Sequence, residues 1–231
     1  THTLAPAKLC MPLPPGFPPV DAAAFIMIYA TSHHALMDRG QLKAGETVLV
    51  LGAAGGVGMS AIQIAKIAGA KVIAAASTDE KCAFCKQLGA DETINYSNED
   101  LRERLKELTG GKGPDVIYDP VGGDVYDKST KCIAFEGRIL VVGFAGGTIQ
   151  EVALNHALIK NYSIVGLHWG LYNAYDPAAV QQCHAELTAL ADQGLVNPLV
   201  SERLDFDAVP DGLQRLGDGT TVGRVVYQAA Q

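Results

Sequence analysis

The residues of this chain best placed to do chemistry are glycines. An apolar run, Val48-Leu49-Val50-Leu51, ends in Gly52-Ala53-Ala54-Gly55-Gly56-Val57-Gly58 and opens directly into the amphipathic stretch Met59–Ala68. Strand, tight turn and helix in that order are the context a dinucleotide fingerprint requires. The first amides of such a helix have no partner within it, and the helix dipole favours an anion beside them. A pyrophosphate suits that place, with Gly55 allowing close backbone approach and Gly58 allowing tight helix–strand packing. Ala53 stands where the commonest fingerprint has its first glycine, with Gly52 just before it.

A second apolar run, Lys71–Ala76, follows at the spacing of a βαβ unit. Its end carries Ser77 and, four residues on, Lys81. A site for NAD would place a carboxylate there to hold the ribose 2′-hydroxyl. A neutral hydroxyl and an ammonium instead suit a 2′-phosphate, so the cofactor expected is NADPH, with Asp79 and Glu80 close by as opposing charges. A glycine turn that binds no nucleotide and a solvated Lys81 are the plainer alternatives.

Other reactive side chains read less sharply. Cys82 and Cys85 lie two residues apart inside a helical pattern, with no second Cys/His pair at zinc spacing. The five cysteines are odd in number and scattered, which argues against a disulfide framework and for a reducing, intracellular setting. His33 and His34 fall inside an apolar helix and read as packing or hydrogen-bonded residues rather than ligands. His168 follows an apolar strand, where binding loops concentrate, and is expected to shape a pocket.

These residues need a scaffold, and the alternation of patterns supplies one. Strands are expected at Thr47–Leu51, Lys71–Ala76, Glu92–Asn95, Asp115–Tyr118, Gly137–Gly143 and Ser163–Gly166. Helices are expected at about Val20–Asp38, Gly56–Ala68, from Thr78, at Glu99–Leu108, Gly123–Cys132 and Pro177–Gln193. Such alternation implies an α/β fold: a Rossmann-type, doubly wound parallel sheet with helices on both faces. Residues 1–20 are proline-rich and extended, and the tail alternates strand, helix, strand (Leu199–Arg203, Ala208–Leu216, Gly223–Tyr227).

With 231 residues, 48% hydrophobic and 19% charged, the chain has ample material for a core. Its formal net charge is −7 and no Lys/Arg cluster is visible along it. Nucleic acid is therefore not expected as the main partner, although a local basic pocket is compatible with the sequence. No apolar run reaches the ~20 residues that span a bilayer, and no targeting segment is visible. A soluble, cytoplasmic protein is expected, with a mitochondrial one still open, since the chain begins at Thr1 and reads as a fragment or processed form.

Leu49–Gly58, Ser77–Lys81, Gly113–Gly123, Gly143–Gly147 and Gly166–Gly170 together resemble the zinc-independent quinone oxidoreductases of the medium-chain dehydrogenase/reductase superfamily. The resemblance runs from about Thr1 to Tyr227. It implies a nucleotide domain over residues 21–195 and a β-rich, GroES-like catalytic domain of which 1–20 and 196–231 are the parts present. It further implies that Ala54, Gly55, Gly56 and Val57 cradle the pyrophosphate, and that Ser77, Lys81 and Tyr96 surround the adenosine 2′-phosphate. Val142, Gly143 and Phe144 would line the cofactor; Thr31, Leu167, His168 and Trp169 would lie toward the nicotinamide; Arg224 would approach the phosphates. Met27 stands near where zinc-dependent relatives place a cysteine ligand, so no catalytic zinc is expected.

The activity implied is NADPH-dependent hydride transfer to a small-molecule quinone or activated enone, with no nucleophile required and no catalytic acid assigned. Reduction of an enoyl thioester, or NADPH binding without turnover, are the rival readings. A homodimer is implied, through Ile139–Val142 or Ser163–Leu167 as a sheet edge.

Overall fold

The computed structural model describes residues 4–13 and 15–229. The expectations that touch Thr1 and Pro14 lie outside the described residues. A single 3₁₀ turn, Ala7–Leu9, interrupts the extended N-terminal stretch. Pro19 then opens α1 (Pro19–His33), which widens into a π-type turn over His34–Arg39 before ending at Gly40. There follow β1 (Thr47–Val50), α2 (Gly56–Ile67), β2 (Lys71–Ala76), α3 (Asp79–Gln87), β3 (Glu92–Asn95) and α4 (Leu101–Leu108). The second half runs β4 (Val116–Asp119), α5 (Gly123–Thr130), β5 (Arg138–Val141), α6 (Leu154–Lys160) and β6 (Ser163–Gly166). The last elements are α7 (Tyr172–Tyr175), α8 (Pro177–Asp192), β7 (Val200–Leu204), α9 (Val209–Gly217) and β8 (Arg224–Tyr227). The strands and long helices stand within a few residues of their expected places; α6 and the single-turn α7 carry too weak an apolar period to be expected.

Six strands form one all-parallel sheet in the order β3-β2-β1-β4-β5-β6. Successive residues of a strand point to opposite faces, and here both faces are dry. Val48, Val50, Val72, Ala74 and Tyr118 enter one core, packed under α1, α2 and α8. Leu49, Leu51, Ile73, Ile94 and Ile139 enter the other, with Leu101 and Leu105 of α4 and Tyr126 of α5. This double burial is why the strands read as continuous apolar runs. One expectation is corrected here: β5 lies between β4 and β6, so Ile139–Val142 is no sheet edge, whereas β6 is. The tail strands β7 and β8 pair parallel with each other, not with the main sheet.

The strand order reverses beside β1: its neighbours β2 and β4 lead to helices on opposite faces. Ligands of open α/β sheets bind at such a switch point, beyond the carboxyl ends of the strands. The glycine loop after β1 and the Pro120–Gly122 loop after β4 are placed there.

Candidate cofactor site

The loop after β1 is built by its neighbours. Leu51 donates its N–H to the Tyr118 carbonyl, 3.0 Å, and Ala53 to that of Ala75, 3.1 Å. Gly52 has φ +56°, and a Cβ there would lie 2.8 Å from Val121. At Gly58 a Cβ would lie 2.5 Å from the Gly52 carbonyl oxygen and 2.6 Å from the Ala53 Cα, so any side chain breaks the loop-to-helix contact. Beneath the loop, the Ser32 hydroxyl meets those of Ser60 (2.7 Å) and Tyr118 (2.8 Å), while Ser60 donates to the Ile28 carbonyl. This buried network ties α1, α2 and β4 together under the helix end, and each of its hydroxyls has a partner.

At the mouth of the loop the packing constraint disappears. Gly55 has an ordinary φ of −80°, and a Cβ on it would meet only the Gly52 oxygen at 3.4 Å. Among the described residues, the amides of Gly56, Val57 and Gly58 have no hydrogen-bond partner. The C-terminal tail covers them from one side. Gly223 bridges to Gly55 and donates to the Ala54 carbonyl, 2.8 Å. That bridge sets Arg224 over the helix end, its Cδ 2.6 Å and one terminal nitrogen 3.2 Å from where a Gly56 Cβ would stand. The Arg224 Nε is buried without a partner, and burial lowers the pKa of the guanidinium. Three orphan amides and a guanidinium whose buried Nε has no partner among the described residues, at one helix N-terminus, make a site with the chemistry for a diphosphate.

A cleft of about 360 Å³ opens from this point. Of the residues expected in a cofactor site, Ala54, Gly55, Ser77, Lys81 and Tyr96 line it. The Lys81 Nζ donates to the Ser77 hydroxyl, 3.2 Å, and to the Gly219 carbonyl of the α9–β8 loop. Thr78 caps α3 by accepting from the Lys81 amide, 3.2 Å. Burial raises the Tyr96 phenol, opposed by its contact with Ser77. Asp79 is engaged by the Asn95 side-chain amide at 2.6 Å, and neither it nor Glu80 lines the cleft.

The far wall comes from Val121, Ala145 and Gly146, which lie inside the motifs Gly113–Gly123 and Gly143–Gly147 but receive no site role from sequence. Asp119 holds them. Its Oδ1 accepts from the amides of Val121 (2.8 Å) and Gly122 (2.9 Å), and Ala145 and Gly146 donate in turn to the carbonyls of Pro120 and Val121. Burial raises the pKa of the Asp119 carboxyl against the pull of those two amides. Leu216 in the last turn of α9 and Asp218, Gly219 and Thr221 of the α9–β8 loop complete the lining. Only the Gly217-Asp218-Gly219 spacing hinted at a loop there, and nothing local tied it to the Gly55 turn.

The other expected residues lie elsewhere. Val142, Gly143 and Phe144 precede the cleft-lining Ala145 but do not line the cleft. The Thr31 hydroxyl donates to the Met27 carbonyl within its own helix, 2.7 Å. Leu167 and His168 line a second cavity of about 340 Å³ beyond β6, together with Arg39, Tyr172 and Tyr175. Trp169 stacks on Tyr172 and lies against His34, ring centroids 5.4 and 4.8 Å apart. His34 and His33 face Asp38 and Glu186 respectively, both buried, and burial lowers His33. Burial pushes the Cys85 thiol up to about 12 and raises Cys82 as well, which suits packed thiols rather than reactive ones. Among the described residues no group of three or more His, Cys, Asp or Glu side chains could hold a metal ion.

The same arrangement recurs in known proteins. The family model described as "Zinc-binding dehydrogenase" matches residues 56–185. The chain is 39% identical to the bovine (Bos taurus) quinone oxidoreductase-like protein 2 over 207 residues, covering 89% of this chain and 59% of that protein. It is 34% identical to a Pseudomonas aeruginosa quinone oxidoreductase, covering 97% of this chain and 69% of that protein. The crystal structure of the Escherichia coli quinone oxidoreductase complexed with NADPH superimposes with a TM-score of 0.88 at 30% identity, over 96% of this chain and 68% of that one. The chain thus spans about three fifths of the length of curated relatives such as the bovine protein. With its parallel six-stranded sheet and glycine turn at the switch point, it belongs to the quinone oxidoreductase family of the medium-chain dehydrogenase/reductase superfamily.

Proposed function

We propose that this chain is the nucleotide-binding part of an NADPH-dependent oxidoreductase that reduces a quinone or an activated enone. The observation that carries the reading is the α2 N-terminus: three unpartnered amides beneath Arg224, opening into a cleft with Ser77 and Lys81 at its other end. The bound nicotinamide would supply the hydride. The amides of Gly56, Val57 and Gly58, with Arg224, hold the diphosphate through charge-assisted hydrogen bonds. Ser77, Lys81 and Tyr96 hold the adenosine end, where the ammonium of Lys81 neutralises a 2′-phosphate. Asp119 keeps the opposite wall in place. Val142, Gly143 and Phe144 continue that wall toward the reacting ring, and Thr31, Leu167, His168 and Trp169 flank the ring itself. The NADPH complex of the E. coli relative supports the cofactor assignment.

Residues 4–13, 15–20 and 196–229 belong, in this reading, to the catalytic domain that closes the substrate side. Exposed Met27 near the zinc-ligand position supports hydride transfer without zinc. The open edge of β6, with Ile149, Leu154, Leu158 and Ile159 exposed in the segment that precedes it along the chain, supports pairing with a second copy into a homodimer. No helix among the described residues is long and apolar enough to cross a membrane.

Calorimetric titration with NADPH and NADH tests the core of the reading. Lys81→Ala is expected to weaken NADPH by roughly tenfold or more, the worth of a charge-assisted hydrogen bond, and NADH by much less. Equal losses would remove the 2′-phosphate assignment. Absence of NADPH binding to the wild-type chain would remove the whole reading. NADPH binding without acceptor-dependent oxidation of NADPH across a quinone panel would leave a binding protein in place of an enzyme.

A further inference from the structure

The amino ends of the strands carry a second cleft, of about 220 Å³, at the opposite pole of the sheet from the glycine loop. Its charged lining is Arg102, Lys106, Lys112, Lys131 and Lys160, five of the 18 lysines and arginines in a chain of net charge −7. Among the described residues no carboxylate lines it. Lys112 is neutralised by Asp115 at 2.8 Å, but among the described residues Arg102, Lys106, Lys131 and Lys160 make no ion pair.

The cleft is constructed rather than a chance meeting of surface side chains. Gly113, at φ +84°, lies so close to the Cys132 carbonyl that a Cβ would fall 1.7 Å from its oxygen. Lys160 Nζ donates to the carbonyls of Lys131 (2.6 Å) and Thr130 (3.4 Å), closing the end of α5. The Cys132 thiol lies 3.8 Å from the Arg102 carbonyl and 3.7 Å from that of Lys128, joining α4 to α5.

Cations gathered this way repel one another; Lys160 and Lys112 have structural partners, whereas the side chains of Arg102, Lys106 and Lys131 make no ion pair among the described residues. Burial is the larger influence on the neighbouring groups, and the cations add to it. Burial lowers the Lys160 ammonium and Arg102 lowers it further, against the pull of Cys132. Burial lowers His156, with Lys160 and Lys131 adding to the shift. The volume equals roughly seven waters of bulk liquid, suited to one small polyoxoanion and too small for a nucleic-acid strand.

We propose that the cleft between α4, the Gly111–Gly113 loop and the end of α5 is a second anion site, taking a compact multivalent oxyanion of the diphosphate kind. Arg102 supplies a planar fork and the lysines supply point charges around it. The site is independent of the cofactor cleft: it uses other elements at the other end of the sheet.

Cys132 provides a local readout, and exposed Cys10, outside the cleft, is its reference in the same sample. Carboxymethylation of each cysteine by iodoacetate is followed by peptide mass, with and without inorganic pyrophosphate. Pyrophosphate is expected to slow modification of Cys132 several-fold, leave Cys10 unchanged, and lose its effect as salt screens the cleft. The Arg102→Glu/Lys131→Glu chain is expected to need roughly tenfold more pyrophosphate for the same protection. Circular dichroism checks that this chain is folded, and Lys106→Gln is the milder substitute if it is not. Pyrophosphate bound only at the glycine loop would leave the Cys132 rate unchanged. That outcome, or equal protection in the substituted chain, overturns the proposal.

Discussion

The two poles of the sheet solve different problems with different parts. At the carboxyl pole, backbone would do the recognising in the proposed function: orphan amides at Gly56–Gly58, glycines that admit no side chain, and Asp119 holding two loop amides. At the amino pole, side-chain charge holds the chain together. Arg138 grips Glu46 through two 2.8 Å bonds and donates to the Gly40 carbonyl, while the Asp115 carboxylate accepts from the Thr47 amide and from Lys112. A parallel sheet makes this contrast natural. Helix N-termini collect at its carboxyl end, offering donors to anions. The amino end receives helix C-termini, whose carbonyls attract cations, as at Lys160.

The largest test of that contrast compares two glycines three residues apart. Gly58→Ala must push the Gly52–Ala53 backbone and is expected to cost about 3 kcal/mol or more, enough to lower the melting temperature sharply. Gly55→Ala is unopposed by the protein itself, so its melting temperature should stay close to wild type while NADPH affinity falls. A large loss of stability at Gly55, or unimpaired NADPH binding, would mean the loop is shaped for its own packing and not for a ligand.

A smaller effect is expected at the amino pole. The hydrogen bonds from Arg138 hold the Glu46 carboxyl below its ordinary value of 4.5, against the effect of burial. A depressed acid stabilises the fold above its unfolded pKa and loses that contribution as pH falls through the folded value. Glu46→Gln should therefore cost about 1–3 kcal/mol near neutral pH in urea unfolding, and the gap to wild type should close as the medium is acidified below the ordinary value. A gap independent of pH would assign the effect to packing.

The smallest effect, of opposite sign, is expected at Asp119. Burial raises this carboxyl, and its Oδ2 is buried without a partner. A raised acid stabilises most when protonated and loses that as pH rises through the folded value. Asp119→Asn keeps an oxygen for the amides of Val121 and Gly122 and should lie within about 1 kcal/mol of wild type. Any advantage it has near neutral pH should shrink on acidification. An advantage that grows instead would contradict the burial argument.

The rhythm of strands and helices was legible because it is local. Val48–Leu51 is apolar on both faces, Thr78 and Asp100 cap the helices that follow them, and glycine follows closely on the ends of α2, α3, α4 and α8. The Gly55–Gly58 turn could be read for the same reason, since its dihedrals and its helix end lie within a few residues. The Ser77–Lys81 pair was legible too, as the end of one strand and the first turn of its helix. Expectations failed where position in the sheet mattered: Ile139–Val142 is as apolar as an edge strand would be, yet β4 and β6 flank it.

The sequence by itself determined a glycine turn inside an α/β alternation, because strand, turn and helix are encoded by neighbours along the chain. Only the tertiary structure decided that Arg224 sits over Gly56, that Asp218 and Gly146 wall one cleft, and that Arg102, Lys106, Lys112, Lys131 and Lys160 surround another. Those meetings join segments far apart in the chain. Their cause is the crossover connections that bring loops to a common end of the sheet, and no local spacing of residues records which loops will share it.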